Sequence, residues 1–236
     1  MPRYSYPSKV YVATEQVGTK YDRAFIVNSL KNGSEALRSN ENNFKSFPNQ
    51  VTAILGLTAV LFFTGCRISE ALQLKYSDIK LEDPGLDGNQ WITLQLLVEK
   101  RKQVNPHPVK VIPLLIDPNS DTAFILKWLI DWYRYITEQF EQAVGSKQIK
   151  LEKVPDELVF PYKRVAYYKT CAKYFKINPH GFRKIAAQYM VVEKNMPLKT
   201  VQKILGHSSL MALDYYINLR TEDLKKDLLK VYKGDR

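Results

Sequence analysis

Four side chains in the C-terminal part of this 236-residue chain have types and spacing that suit chemistry on a phosphodiester. His180 and Arg183 stand three residues apart, and His207 is followed nine residues later by Tyr216. Phosphoryl transfer requires cations on the non-bridging oxygens, a nucleophile held in line and an acid for the leaving oxygen. Arginine and histidine can supply the charge and the proton, and a tyrosine hydroxyl can attack phosphorus. This part of the chain therefore predicts a phosphate-binding site.

The local sequence places the first two of these residues at the start of a helix. Asn178 and Pro179 form the usual combination of an N-cap followed by proline at the first helical position. His180 and Arg183 then share a helix face, near backbone amides that favour an anion. Pairs with this spacing occur by chance in many helices, so the spacing alone favours the alternative of a structural hydrogen bond for His180 and a surface ion pair for Arg183.

The net charge of +11 and its distribution indicate a polyanionic partner. Positions 161–184 carry seven basic residues and no acidic one, interleaved with tyrosines and phenylalanines. A basic stripe with aromatic residues is typical of proteins that bind a nucleic-acid backbone. The candidate phosphate contacts are Lys102, Lys163, Arg164, Lys169, Lys173 and Lys184.

Composition argues against a membrane protein and against a disulfide-linked or metal-dependent one. The longest apolar run, 54–63, is too short to cross a bilayer. Cys66 and Cys171 are isolated thiols without the spacing of metal ligands or of a disulfide framework. We therefore expect small core cysteines in a reducing compartment, cytoplasmic or nucleoid-associated.

Hydrophobic periodicity predicts a mainly α fold with a small three-stranded antiparallel β-sheet (α+β). An apolar helix over 51–64 should end at Gly65, and β-branched runs at 91–98 and 109–114 should be strands. The polar, asparagine-rich stretch 34–50 is expected to be a loop. Further helices are expected from Ile68 to Leu74, over 121–143 with Ser120 as its cap, over 198–205, and from Thr221 onward.

Three sequence boxes resemble those of the tyrosine recombinase (phage integrase) family. Thr64-Gly65-Cys66-Arg67-Ile68-Ser69-Glu70 resembles its T-G-x-R-x-S-E motif, and His180-Gly181-Phe182-Arg183 resembles its H-x-x-R box. Leu205-Gly206-His207, with Tyr216 nine residues after the histidine, resembles its third box. The boxes occur in family order, and the resemblance implies the catalytic-domain architecture of that family.

The resemblance also implies roles for the matching residues. Arg67 and Arg183 would clamp the scissile phosphate, and His180 and His207 would add hydrogen bonds to it. Tyr216 would attack phosphorus and form a 3′-phosphotyrosyl link, which conserves bond energy and needs neither metal ion nor ATP. Tyr215 is the competing tyrosine, but adjacent helical residues point about 100° apart. The family spacing selects Tyr216, and Tyr215 is expected to pack in the core.

Two further members of the site are less strongly specified. The family places a lysine between the two strands to protonate the leaving 5′-oxygen, and this chain has a longer loop there. Lys100 is the first candidate and Lys102 the second. His107, in a turn flanked by prolines, either contacts the DNA backbone or has no role in the site. Glu70 would orient an active-site partner, or it is an ordinary carboxylate on a helix surface.

The resemblance implies a site-specific recombinase or integrase that acts on double-stranded DNA and assembles into a tetrameric synapse. The alternatives are DNA relaxation of the type IB topoisomerase kind and non-catalytic DNA binding on the same fold. We expect a flexible arm over 1–24, a catalytic domain over 25–220 and a C-terminal helix over 221–236. That helix packs either on its own domain or on a neighbouring protomer.

Overall fold

The computed structural model describes residues 23–44, 49–86, 88–98, 109–148 and 150–206, and the fold there is mainly helical with one antiparallel sheet. The predicted fold class is confirmed. The helices are α1 (Arg23–Ser39), α2 (Gln50–Thr64), α3 (Ile68–Ala71), α4 (Ala123–Gly145), α5 (Arg164–Thr170), α6 (Pro179–Gln188) and α7 (Leu198–Leu205). The strands are β1 (Ile79–Leu81), β2 (Trp91–Leu97) and β3 (Val109–Leu115). Two π-helical segments, Cys171–Phe175 and Tyr189–Glu193, continue α5 and α6.

Helix α2 lies at the centre of the core because it is apolar around nearly its whole circumference. It packs against α4 and α6, and Ile54, Val60 and Leu61 are fully buried. The helix ends where the sequence predicted, at Gly65, whose φ of 58° is left-handed. The Gly65 amide donates to the Leu61 carbonyl at 3.0 Å, which satisfies one of the last carbonyls of the helix. The first sequence box begins at this end of α2, with Thr64.

The sheet, ordered β1-β2-β3, presents one buried face to the helices. Leu94 and Leu96 of β2 are fully buried, and the antiparallel register places them opposite Ile112 and Lys110 of β3. Because alternate residues of a strand share a face, Lys110 lies on the same buried face as Ile112. Lys110 is therefore a lysine of the sheet that is buried in the interior.

The structure corrects three details of the predicted elements. Helix α1 continues to Ser39, where a loop was expected from position 34, because Leu37 is fully buried in the core. Helix α4 is preceded by Thr122 as its N-cap, so the predicted Ser120 cap is wrong. The short helix after Arg67 ends at Ala71, before the expected Leu74.

Several predictions lie outside the described residues. They concern most of the N-terminal arm, the loop with Lys100, Lys102 and His107, and the segment with His207, Tyr215, Tyr216 and the C-terminal helix. Among the helices that the structure does describe, none is long and apolar enough to cross a membrane.

Candidate active site

The loop between α2 and α3 fixes the position of Arg67. The Thr64 hydroxyl donates to the Val60 carbonyl at 2.6 Å and accepts from the Cys66 amide at 3.1 Å. A side-chain hydroxyl that bridges a helix end and the residues after it holds the turn in one conformation. Arg67 follows immediately and is the N-cap of α3. Its backbone is thereby anchored to the most buried helix of the fold.

Glu70 orients the Arg67 side chain. The Glu70 side chain is fully buried, and its Oε1 accepts from Arg67 Nη1 at 2.7 Å. Its Oε2 accepts from the Arg67 backbone amide at 3.0 Å. The Arg67 side chain is 23% exposed, so it is held by the carboxylate on one side and stays accessible to a phosphate. Glu70 is therefore an interior carboxylate that positions Arg67, not an ordinary surface group.

Lys110 is a third member of this cluster, which the sequence analysis did not identify. Its Nζ donates to Glu70 Oε2 at 3.1 Å, and its side chain is only 6% exposed. Burial by itself would raise the pKa of the Glu70 carboxyl. The Lys110 ammonium and the hydrogen bonds from Arg67 outweigh burial and lower that pKa below its ordinary value. The available signal was strand alternation, which places Lys110 on the face of Ile112, where a lysine requires a counter-charge.

Glu70→Gln should destabilise the protein in a pH-dependent way. Because the folded-state pKa is lowered, the stabilisation by Glu70 is fully present above about pH 4.5 and disappears as pH falls through the folded value. Loss of the carboxylate leaves Arg67 and Lys110 without their counter-charge, which costs about 3 kcal/mol at neutral pH. Urea unfolding from pH 7 to pH 3 should show wild type and variant converging in acid. The exposed Glu138 on α4, changed to glutamine, should stay within about 0.5 kcal/mol.

Arg183 joins the second sequence box to the first. Helix α6 starts as predicted, with the Asn178 side chain accepting from the Gly181 amide at 2.7 Å. Arg183, one turn later, is 1% exposed and its Nη1 donates to the Gly65 carbonyl at 2.9 Å. His180 lies in the first turn of α6 and is exposed. The first and second boxes are therefore in direct contact, and the contact is at Gly65, two residues before Arg67.

Leu205, the first residue of the third box and the last residue of α7, also packs near Gly65. A methyl group at Gly65 would lie 2.6 Å from Leu205 Cδ2 and 2.9 Å from Ala186 Cβ. Gly206 ends α7 at a left-handed φ of 69°, and a Cβ on it would lie 3.6 Å from Lys110 Nζ. Gly206 therefore lies beside Lys110, the lysine that is paired with Glu70.

Gly65→Ala should be strongly destabilising for two separable reasons. The left-handed backbone costs an alanine about 1–2 kcal/mol, and the overlap with Leu205 and Ala186 adds about 1–3 kcal/mol. Gly88→Ala is the matched control, because Gly88 also has a positive φ, of 75°, with no atom within 4 Å of the added carbon. Urea unfolding should show the larger loss for Gly65→Ala. Equal losses for the two variants would contradict the tight packing at Gly65.

The predicted basic stripe is largely on the surface. Lys163, Arg164, Lys169 and Lys173 are exposed, and Lys173 lies over the Tyr174 ring with 4.9 Å from Nζ to the ring centroid. Lys184 is different, since it is only 2% exposed. Helix α6 is buried on most of its circumference, which takes both Arg183 and Lys184 into the interior. Lys184 is therefore not an exposed DNA contact.

The two cysteines are core residues, as predicted. Both are buried, and burial raises the pKa of the Cys66 thiol to about 11. Burial also raises the pKa of the Cys171 thiol. A buried thiol with a raised pKa is a poor nucleophile at neutral pH, which argues against a catalytic role for Cys66 despite its position next to Arg67.

The sequence is similar to those of known recombinases and resolvases. A sequence model of the phage integrase family matches residues 35–223. The tyrosine recombinase of Thermosipho africanus (strain TCF52B) is 27% identical over 184 residues, which cover 77% of this chain and 53% of that protein. A resolvase of Escherichia coli is 26% identical over 181 residues, which cover 71% of this chain and 67% of the resolvase.

Solved structures show the same fold. XerH site-specific recombinase, in a pre-cleavage complex with its difH substrate, aligns with a TM-score of 0.56 at 19% identity and covers 88% of this chain. XerA recombinase aligns with a TM-score of 0.53 at 17% identity and covers 89% of this chain. The chain spans about half the length of XerH and of the Thermosipho protein, 52% and 53% respectively. Since the family model matches most of its length, the chain belongs to the phage integrase family.

Proposed function

We propose that this chain is the catalytic domain of a site-specific DNA recombinase that cuts and rejoins strands through a 3′-phosphotyrosyl link at Tyr216. The observation that carries the proposal is the hydrogen bond from Arg183 Nη1 to the Gly65 carbonyl. It brings an arginine of α6 against the loop that holds Arg67, so two guanidinium groups from distant parts of the chain belong to one site. A pair of arginines is well suited to the non-bridging oxygens of a phosphodiester.

The charge of this cluster supports the same chemistry. Arg67, Arg183 and Lys110 carry three positive charges against the single negative charge of Glu70. Preorganised positive charge stabilises the extra negative charge that develops on phosphorus oxygens in the transition state. Tyr216 would be the nucleophile, His180 and His207 would bind the phosphate, and Lys100 would protonate the leaving 5′-oxygen, with Lys102 as the second candidate.

The test is a covalent adduct with DNA. A nicked duplex that carries a matched target site should give an SDS-resistant protein–DNA complex in the presence of EDTA, because the reaction needs no divalent metal. Mass spectrometry of the trapped peptide should place the phosphodiester on Tyr216. Salt-sensitive binding to the same duplex without adduct formation would instead support a non-catalytic DNA-binding protein. Relaxation of a supercoiled plasmid without recombinant products would support a topoisomerase.

We further propose that the exposed cations of the basic stripe bind the DNA backbone. Lys169→Gln or Lys173→Gln should weaken binding and make the slope of log K against log salt concentration less steep, by about 0.9 for each phosphate that the protein no longer neutralises. Lys127→Gln is the matched control, since the Lys127 side chain is 69% exposed but paired with Asp131 on α4. A slope that is unchanged in the stripe variants would remove these residues from the interface.

Self-association on DNA belongs to the same proposal. Exchange of strands between two duplexes requires four cuts, and a protomer with one nucleophilic tyrosine can make one of them. We therefore propose a tetrameric assembly on DNA. Light scattering of complexes with and without target DNA measures the number of protomers.

A further inference from the structure

We propose that Lys110 is a positioning residue of the strand-cleavage site, which acts through Glu70 on the orientation and the charge of Arg67. This inference rests on the proposed function for its kinetic readout, and it concerns a residue that lies outside the three sequence boxes. Its basis is the buried cluster in which one carboxylate joins a lysine of the sheet to an arginine of the loop between α2 and α3.

The position of Lys110 is costly unless the ammonium is paired. It lies on the buried face of β3, opposite the fully buried Leu96 and two residues from Ile112. A charged ammonium in an apolar interior destabilises the fold by several kcal/mol unless a counter-charge and hydrogen bonds replace water. Glu70 provides both at 3.1 Å. A methionine would fill the same volume without this requirement, so stability alone does not explain a lysine here.

The first effect of Lys110 is on the orientation of Arg67, because the Glu70 carboxylate binds both side chains. Oε1 accepts from Arg67 Nη1, while Oε2 accepts from Lys110 Nζ and from the Arg67 backbone amide. With both carboxylate oxygens engaged, rotation of the carboxylate is restricted, and so is the guanidinium that it holds. Without Lys110, one end of the carboxylate loses its charged partner and the orientation of Arg67 is less well defined.

The second effect is electrostatic. A lone Arg67 and Glu70 pair is neutral, which would cancel much of the attraction of Arg67 for a phosphate. Lys110 restores one net positive charge to the trio. Glu70 can therefore orient Arg67 without neutralising it. Lys110 also lies next to Gly206, where an added Cβ would be 3.6 Å from its Nζ, so it links the Arg67 cluster to the end of α7.

Single-turnover cleavage of a nicked duplex separates positioning from binding. Lys110→Met should lower the cleavage rate at saturating DNA by about 10- to 100-fold, by analogy with the side chains that orient metal ligands. The Kd for DNA should change by less than about threefold, because Lys110 is buried. Lys110→Arg should restore most of the rate. Lys80→Met, an exposed lysine on β1 of the same sheet, is the matched control and should behave as wild type.

A double-mutant cycle tests whether Lys110 acts through Glu70. In the Glu70→Gln background, Lys110→Met should cause little further loss of rate, since the link between the two cations is already broken. Multiplicative losses of rate in the double variant would overturn the proposal. A 5′-phosphorothiolate substrate, whose leaving thiolate needs no proton, should not rescue Lys110→Met. Full rescue would instead identify Lys110 as the general acid.

A measurement without DNA keeps this proposal separate from the proposed function. The Arg67 side-chain Nε–Hε resonance, assigned by its loss in Arg67→Lys, should shift or broaden in Lys110→Met and remain unchanged in Lys80→Met. An unchanged Arg67 resonance would refute the positioning role even if the chain cuts DNA. A changed resonance in a chain that forms no DNA adduct would support the role while refuting the recombinase proposal. If Lys110→Met does not fold, Lys110→Gln serves for both measurements.

Discussion

Replacing Tyr216 with phenylalanine is expected to abolish the covalent adduct with DNA. Phenylalanine keeps the ring but removes the oxygen that would attack phosphorus, so no phosphotyrosyl bond can form. Loss of a nucleophile typically lowers the rate by about 10⁴-fold or more. Gel electrophoresis in SDS, after incubation with a nicked target duplex, measures the adduct directly.

The neighbouring tyrosine is the matched control for this prediction. Tyr215→Phe should retain the adduct, because the spacing of the third box selects Tyr216 as the nucleophile. The opposite pattern, with the adduct lost in Tyr215→Phe and kept in Tyr216→Phe, would overturn the assignment of the nucleophile. DNA binding by both variants should remain close to that of wild type, which separates a chemical defect from a binding defect.

Arg183→Ala is expected to have the largest combined effect on activity and stability. Its guanidinium is 1% exposed and donates to the Gly65 carbonyl. Truncation leaves that buried carbonyl without this donor and opens a cavity, which together cost about 3 kcal/mol in the free energy of unfolding. The proposed contact of Arg183 with the scissile phosphate would also be lost, which should lower the cleavage rate by about 10³-fold. Urea unfolding and single-turnover cleavage measure the two effects.

Two further variants separate these effects of Arg183. Arg183→Lys keeps the positive charge and should remain better folded than the alanine variant, yet a single ammonium cannot bind Gly65 and a phosphate in the bidentate manner of a guanidinium. Its cleavage rate should therefore remain low. Arg134→Ala, at an exposed position on α4, should change neither stability nor rate. Cleavage by Arg183→Ala at the wild-type rate would exclude Arg183 from the site.

The sequence specified those parts of the fold that depend on local backbone chemistry. Gly65 was predicted to end α2 because a left-handed residue commonly ends a helix, and its φ of 58° confirms this. Asn178 was predicted as the cap of α6, and its side chain accepts from Gly181. The two long strands also lie where β-branched residues predicted them. The three sequence boxes could be identified because the residues of each box lie close together in the sequence.

The parts that sequence reasoning missed depend on the environment provided by distant elements. Lys110 contacts Glu70 only because β3 packs near α3, and nothing local to β3 reveals which residue supplies the counter-charge. Lys184 was expected on the surface with its basic neighbours, but α6 is enclosed by other elements and takes it inside. Leu37 likewise shows that α1 continues, since its burial outweighs the polar residues around it. Local composition cannot distinguish these cases.

The hydrogen bond between Arg183 and Gly65 joins points 118 residues apart in the sequence, which has a consequence during synthesis. A ribosome that adds about 5–20 residues per second needs roughly 10 seconds to extend the chain from one point to the other. During that interval the emerging chain can contain Arg67 but has no second arginine beside it. The arrangement therefore delays the contact between the Arg183 helix and the loop that holds Arg67 until nearly the whole domain has been made.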